Sequence, residues 1–159
     1  MNLENLKNNS DLDPIAPSHE GAVKIFNKAT KSIRFVITSL ASFGETENKD
    51  IYYKLIYDSV LMSCQAILLL FGYRVKKSTE GHHQKTLNAV AQLVGDELAT
   101  EMLRLQKVRG KRNRLEYTPL DEISITELRR AKDDAINLHN YIKERLKKSR
   151  ETGRDKPLI

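Results

Sequence analysis

A charged segment that interrupts an apolar stripe carries the clearest signal for chemistry in this chain. The stripe advances in steps of three and four residues, through Leu98, Met102, Leu105, Arg109, Arg112 and Glu116. A stripe with this spacing follows one face of a helix, and its first half should enter the core. Because burying lone charges is costly, its second half must be paired, line a cleft or meet a partner.

The same segment is strongly basic. Six basic residues and no acidic one lie between Met102 and Leu115, namely Arg104, Lys107, Arg109, Lys111, Arg112 and Arg114. Arginine presents planar, forked donors that match phosphate, so one interpretation is a basic cleft that holds phosphate. The other interpretation is structural, because Arg112 and Glu116 are spaced for an ion pair that closes the end of a bundle.

A set of amphipathic helices must position these residues. Helical periodicity predicts five helices, over about residues 19–43, 49–71, 82–94, 97–117 and 124–148. Ser18 is a candidate cap for the first helix, and Ser124 with Glu127 has the spacing of a capping box. No segment has the pattern of a strand. The predicted fold class is all-α, an antiparallel bundle of four to five helices.

Length and composition predict one domain with two charged or polar ends. The 159 residues divide into a flexible arm (1–19), the bundle (20–148) and a charged tail (149–159). The net charge of +6 favours a polyanionic partner. Cys64 is the single cysteine, so it predicts a reducing, cytoplasmic setting and a buried thiol. The apolar, charge-free run Ser59 to Gly72 is shorter than the roughly 20 residues of a membrane span.

Several enzyme classes lack their local signatures here. The sequence has no phosphate-binding glycine loop, no dinucleotide fingerprint and no nucleophile elbow. The four histidines, at positions 19, 82, 83 and 139, do not have zinc-binding helix spacing. His82 and His83 point about 100° apart on a helix and make a poor chelating pair. We therefore predict no metal and no cofactor.

The order of three motifs resembles the HEPN domain family (higher eukaryotes and prokaryotes nucleotide-binding). An apolar helix ends in residues 66–73, Ala-Ile-Leu-Leu-Leu-Phe-Gly-Tyr, and a Lys-rich loop follows it. Residues 78–83 read Ser-Thr-Glu-Gly-His-His, and residues 112–117 read Arg-Asn-Arg-Leu-Glu-Tyr before a long terminal helix. The resemblance covers about residues 20–148.

The resemblance implies a dimeric helical bundle, and in many members a metal-independent ribonuclease of toxin–antitoxin, abortive-infection or other defence systems. Arg112 and Asn113 match the first half of the family motif, an arginine often followed by asparagine and then by a histidine. Tyr117 stands where catalytic members have that histidine. The candidate catalytic residues are therefore Arg112, Asn113 and Tyr117, with Glu116. The candidate binding residues are Arg109, Lys111, Arg114, Lys76, Lys77, His82 and His83.

The replacement by Tyr117 leaves the chemistry open. A tyrosine titrates near 10 and is a poor base at neutral pH, so Tyr117 would contact phosphate or stack on a base. Pairing with Arg112 would weaken Glu116 as a base. We favour His82 and His83 as a cap and packing pair at a helix start, and their approach to the cleft is the alternative.

Two other functions follow from different features. The missing histidine favours a non-catalytic module that binds a partner protein, such as a cognate antitoxin. The short glycine-containing turn between the third and fourth helices is compatible with a DNA-binding helix-turn-helix, but no compact recognition helix stands out. The preferred interpretation is a cytoplasmic homodimer that binds RNA or a nucleotide, outside the membrane.

Overall fold

The computed structural model describes residues 1–77, 80–117 and 123–151, and only the backbone of residues 113 and 115–117. Its architecture is an all-α bundle, as predicted. The elements in chain order are α1 (Glu4–Lys7), β1 (Leu12–Pro14), α2 (His19–Phe43), α3 (Lys49–Leu70), β2 (Tyr73–Val75), α4 (His82–Val94), a 3₁₀ turn (Gly95–Leu98), α5 (Ala99–Tyr117) and α6 (Ile125–Glu151).

Local sequence signals explain the helix ends. The backbone N–H of Gly21 donates to Ser18 Oγ at 2.9 Å, so Ser18 caps α2 as predicted. At the start of α6 the Glu127 N–H donates to Ser124 Oγ at 3.1 Å, and the Ser124 N–H donates to the Glu127 carboxylate at 2.9 Å. This reciprocal pair confirms the capping box. The last helix runs through Glu151, three residues beyond its predicted end.

The first nineteen residues pack against the bundle, so the prediction of a flexible arm is wrong. Leu6 in α1 is fully buried, and the Met1 amino group pairs with Glu97 at 3.0 Å. Strand β1 pairs antiparallel with β2, with Leu12 opposite Val75. The prediction that no segment forms a strand is therefore also wrong, although this sheet has only two short strands. Leu6 and Leu12 are too few and too close to the terminus to show a period.

Helix α3 lies at the centre of the bundle and contacts most of the other elements. Its buried side chains include Ile56, Cys64 and Ile67, each fully inaccessible to solvent. Burial raises the pKa of the Cys64 thiol, in agreement with a structural thiol rather than a nucleophile. Within the described residues, α3 is the one helix long and apolar enough to cross a membrane, and 67% of its most apolar window is buried inside the bundle.

Gly72 closes the turn between α3 and β2, and we expect Gly72→Ala to be strongly destabilising. Its φ is +78°, and an added Cβ would lie 2.8 Å from the Ile15 carbonyl oxygen. The left-handed backbone and the steric overlap together should lower the free energy of unfolding by about 2–4 kcal/mol. Chemical denaturation measures this loss.

Gly81→Ala is the matched control for that experiment. Gly81 has a similar φ of +70°, but an added Cβ would have no atom of the described residues within 4 Å. This substitution should cost only the backbone contribution, about 1–2 kcal/mol. Equal losses of stability in the two variants would show that the close approach to Ile15 contributes nothing.

Candidate functional site

Three helices bring two arginines and a histidine together around the ring of Tyr57, which is buried in α3. The guanidinium carbon of Arg112, from α5, lies 5.6 Å from the ring centroid, within the range of a cation–π contact. The imidazole of His83, from the first turn of α4, lies 6.1 Å from the same centroid and is tilted by 46°. We call Tyr57, His83, Arg109 and Arg112 the Tyr57 cluster.

The Tyr57 hydroxyl is neutral at physiological pH. Burial raises the pKa of Tyr57 to about 12, while the nearby charges of Arg109 and Arg112 oppose that rise. The phenol therefore remains protonated and can donate a hydrogen bond. The buried ring provides the surface against which Arg112 and His83 lie.

His83 lies at the surface, and its neutral imidazole can act as a base. Its pKa is lowered, first by partial burial and then by the positive charges of Arg112, His82 and Arg109, whereas Asp58 acts in the opposite direction. A lowered pKa keeps the imidazole unprotonated at neutral pH, the state that accepts a proton. The ring is solvent-exposed, so a bound substrate can reach it.

His83 does not serve as a helix cap, so that part of the favoured interpretation is wrong. The N-cap of α4 is Gly81, in the left-handed conformation, and as a glycine it has no side chain to make a capping hydrogen bond. The contact of His83 with Tyr57 fits the packing part of the favoured interpretation, and its electrostatic coupling to Arg112 places it near the arginines. His82, its exposed neighbour, contributes charge to His83.

Buried polar atoms of the Tyr57 cluster lack hydrogen-bond partners within the described part of the chain. These atoms include the Tyr57 hydroxyl and Nε of Arg109. An unpaired buried donor costs about 1–3 kcal/mol, so the fold gains nothing from leaving it there.

Lys111 and Arg114 lie on the opposite side of α5, away from the Tyr57 cluster. Lys111 Nζ pairs with Glu127 at 2.6 Å, and its side chain is only 15% exposed. Arg114 is exposed and lines a cavity between α5 and α6. The structure therefore separates the predicted binding residues of this helix into two faces.

Other predicted residues are partly or wholly outside the cluster. Lys76 is half-buried next to β2 and Lys77 is exposed, and neither has a contact with Arg112 among the interactions of the described residues. Asn113, Glu116 and Tyr117 lie in α5, but their side chains fall outside the described atoms. The predicted Arg112–Glu116 pair thus lies outside the described residues.

A second concave surface, which we call the α2–α6 groove, has a volume of about 780 Å³. His139 forms part of its lining, stacked on Phe26 with ring centroids 4.1 Å apart. The Thr30 hydroxyl donates to the Phe26 carbonyl and lies 3.2 Å from His139 Nε2, which places the imidazole proton on that nitrogen. Burial, aided by Lys143 and Arg34, lowers the pKa of His139 to about 4, so the groove holds a neutral histidine.

No group of three or more histidine, cysteine or carboxylate side chains is placed to hold a metal ion in the ranges 1–77, 80–117 and 123–151. The chain matches no protein-family model, no curated protein and no solved structure. The resemblance to the HEPN family therefore remains a prediction.

Proposed function

We propose that this protein binds RNA at the Tyr57 cluster and cleaves it without a metal ion. The observation that carries the proposal is the meeting of Arg109, Arg112 and a neutral His83 around one buried ring. Two arginines attract the phosphodiester, and the imidazole, whose pKa is lowered, is neutral and can accept a proton. The HEPN resemblance of residues 112–117 supports the same interpretation, in a cytoplasmic toxin–antitoxin or defence setting.

In the proposed reaction the RNA supplies its own nucleophile. His83 accepts the proton of the ribose 2′-hydroxyl, and the 2′-oxygen attacks the adjacent phosphorus. Arg112 stabilises the negative charge that develops on the phosphoryl oxygens. The bond from phosphorus to the 5′-oxygen breaks and that oxygen takes a proton from water. The hydroxide that remains takes the proton from His83, and the products are a 2′,3′-cyclic phosphate and a 5′-hydroxyl. His83 thus has the role that the family motif gives to a residue at position 117.

The direct test is incubation of the protein and its Arg112→Ala variant with total tRNA in EDTA. We expect discrete fragments ending in 2′,3′-cyclic phosphate from the wild type and intact RNA from the folded variant. Circular dichroism should verify that the variant is folded. Intact RNA with the wild type would contradict cleavage, and unchanged RNA affinity in Arg112→Ala would contradict the binding site as well.

We also propose a homodimer formed through the end of the bundle that carries the turn between α2 and α3. Three large apolar side chains there are strongly exposed: Phe43 at 77%, Phe35 at 57% and Ile51 at 50%. The turn is held to α6 by an ion pair between Glu45 and Arg129. The Tyr57 cluster begins less than two helical turns along α3 from Ile51, so a dimer at this end would bring two clusters near each other.

Phe43→Glu should disrupt that dimer. In size-exclusion chromatography with light scattering we expect the mass to fall from twice to once the chain mass of 18.2 kDa. Leu103→Glu is the matched control, because Leu103 is 57% exposed on α5, outside the proposed interface. A monomeric wild type, or the same change in both variants, would refute this interface.

The second candidate function is a non-catalytic module that binds an acidic, amphipathic helix of a partner protein. The α2–α6 groove favours it, because the described residues that line it include apolar side chains such as Val23 and Ile136 together with five cations and one carboxylate. The cations are Lys24, Arg34, Lys143, Lys147 and Arg150. Such a groove fits a helix with an apolar face and acidic edges.

A synthetic Leu/Glu amphipathic peptide tests this candidate. Calorimetry should give saturable binding to the wild type and weaker binding to the double variant Lys143→Glu and Lys147→Glu. A Leu/Lys peptide of the same pattern is the control. Equal binding of both peptides, or no binding of either, would exclude this use of the groove.

A further inference from the structure

A cationic cavity lies between α5 and α6, on the face of α5 that points away from the Tyr57 cluster. It has a volume of about 320 Å³, and the described residues that line it include five cations and two carboxylates. The cations are Arg104, Lys107, Lys111, Arg114 and Arg130, and the carboxylates are Glu127 and Asp134. The described lining therefore carries a formal surplus of three positive charges.

The spacing of four of these cations is regular. Arg104, Lys107, Lys111 and Arg114 follow one another in steps of three and four residues, so they form one stripe about 15 Å long on α5. At about 100° per residue, this stripe points roughly opposite to Arg109 and Arg112. A phosphate held by the stripe is consequently separate from one held by the Tyr57 cluster.

Each of the two carboxylates holds one cation in a fixed position, and the lining as a whole stays positively charged. Asp134 is buried, with a relative exposure of 3%, and it accepts hydrogen bonds from Arg104 Nε at 2.8 Å and Nη2 at 2.6 Å. Glu127 holds Lys111 at 2.6 Å. Arg104 keeps three further N–H groups, and Lys111 keeps two, that these bonds do not use.

Lys107 and Arg130 are cations of this cavity that make no ion pair with a described residue. Across the described residues, Lys107 and Arg130 have no carboxylate within ion-pair distance, and both side chains are exposed. Tyr53 lies beside them in the lining as a neutral phenol, because burial and the charge of Glu127 raise its pKa to about 12. The site thus combines oriented donors, free positive charge and a neutral hydroxyl, a set that suits phosphate groups.

We propose that this cavity binds closely spaced phosphate groups, of either a free nucleotide or an RNA chain, independently of the Tyr57 cluster. Arg104 and Lys111 provide donors of fixed direction, and the exposed side chains of Lys107 and Arg130 contact the phosphates at the opening of the cavity. The volume accommodates a pyrophosphate group and leaves the attached nucleoside at the opening. The proposal holds for a catalytic and for a non-catalytic protein, since it needs no cleavage.

Calorimetry with inorganic pyrophosphate, ADP, uncharged adenosine and a short 5′-hydroxyl RNA tests the proposal. We expect pyrophosphate to bind and adenosine not to bind. In the double variant Lys107→Ala and Arg130→Ala, the affinity for pyrophosphate should fall at least about tenfold, because two charge-assisted hydrogen bonds are removed. The control double variant Lys28→Ala and Lys31→Ala removes two exposed charges from α2 and should bind as the wild type does.

The probes also separate the sources of phosphate and the two sites. A loss confined to pyrophosphate and ADP would assign the cavity to free nucleotides, and a parallel loss for the RNA would assign it to an RNA chain. Arg112→Ala should retain pyrophosphate binding, even if RNA cleavage proves absent. The proposal is overturned if pyrophosphate does not bind, if the control loses as much affinity, or if only Arg112→Ala weakens binding.

Discussion

His83→Ala should lower the rate of RNA cleavage by about 10²–10⁴-fold, the usual contribution of a positioned general base. The side chain is exposed and belongs to the first turn of α4, so its removal should leave the bundle folded. The expected loss lies in the rate of the chemical step rather than in RNA affinity, since Arg109 and Arg112 remain. Single-turnover kinetics in EDTA, with a separate binding measurement, would distinguish the two quantities.

The pH dependence of the wild-type rate follows from the direction of the His83 shift. Partial burial and the neighbouring positive charges lower its pKa, so the neutral, basic form persists below the usual value of about 6.5. The rate should therefore fall less between about pH 7.5 and about pH 6.5 than it would for a histidine of ordinary pKa, and its half-maximal value should lie below about pH 6.5. A rate that already halves near the ordinary histidine pKa of about 6.5 would contradict this environment for the base.

His82→Ala is the matched control for both measurements. His82 adjoins His83 in sequence but points about 100° away on the helix. Its removal takes away one of the charges that lower the His83 pKa, so the decline in rate should move to slightly higher pH, with the plateau unchanged. Equal loss of rate in His82→Ala and His83→Ala would mean that neither residue acts as the base.

Much of the fold follows from local sequence signals, because each bundle helix carries its own period and its own ends. The boundaries of α2 and α4 agree with the predictions at Phe43 and Val94, where a glycine follows each helix. The small sheet was missed because three-residue strands such as Leu12–Pro14 are too short for a period of two to emerge. Their pairing depends on hydrogen bonds between segments about sixty residues apart.

The sequence predicted the residues of the candidate site that belong to α5, but not how those of the neighbouring helices meet them. The interruption of an apolar stripe at Arg109 and Arg112 is a property of one helix and can be recognised from spacing. By contrast, Tyr57 and His83 belong to other helices, and only the packing of α3 against α4 and α5 brings them to those arginines. The same packing explains why Lys111, two positions from Arg109, serves a different face.

Substitution of Arg109 distinguishes most directly between a role in stabilising the fold and a role in binding RNA. Its Nε is buried and has no hydrogen-bond partner within the described part of the chain, and its charge lies three residues from that of Arg112. The unpaired donor costs free energy in the absence of a ligand, because desolvation removes the water that would otherwise accept its hydrogen bond. A residue retained for the fold would be expected to have a carboxylate beside it.

Arg109→Met should therefore weaken RNA binding without weakening the fold. We expect at least about a tenfold loss of affinity, about a hundredfold when it is combined with Arg112→Met, and a salt dependence whose log–log slope is shallower by about 0.7 for each phosphate that is no longer neutralised. The free energy of unfolding of Arg109→Met, from chemical denaturation, should be unchanged or higher by up to about 1 kcal/mol, because methionine fills the same space without an unpaired donor. Lys31→Met, an exposed cation on α2, should alter neither quantity. Clear destabilisation by Arg109→Met at wild-type RNA affinity would instead assign Arg109 to the fold, and the Tyr57 cluster would then lose its strongest claim to bind phosphate.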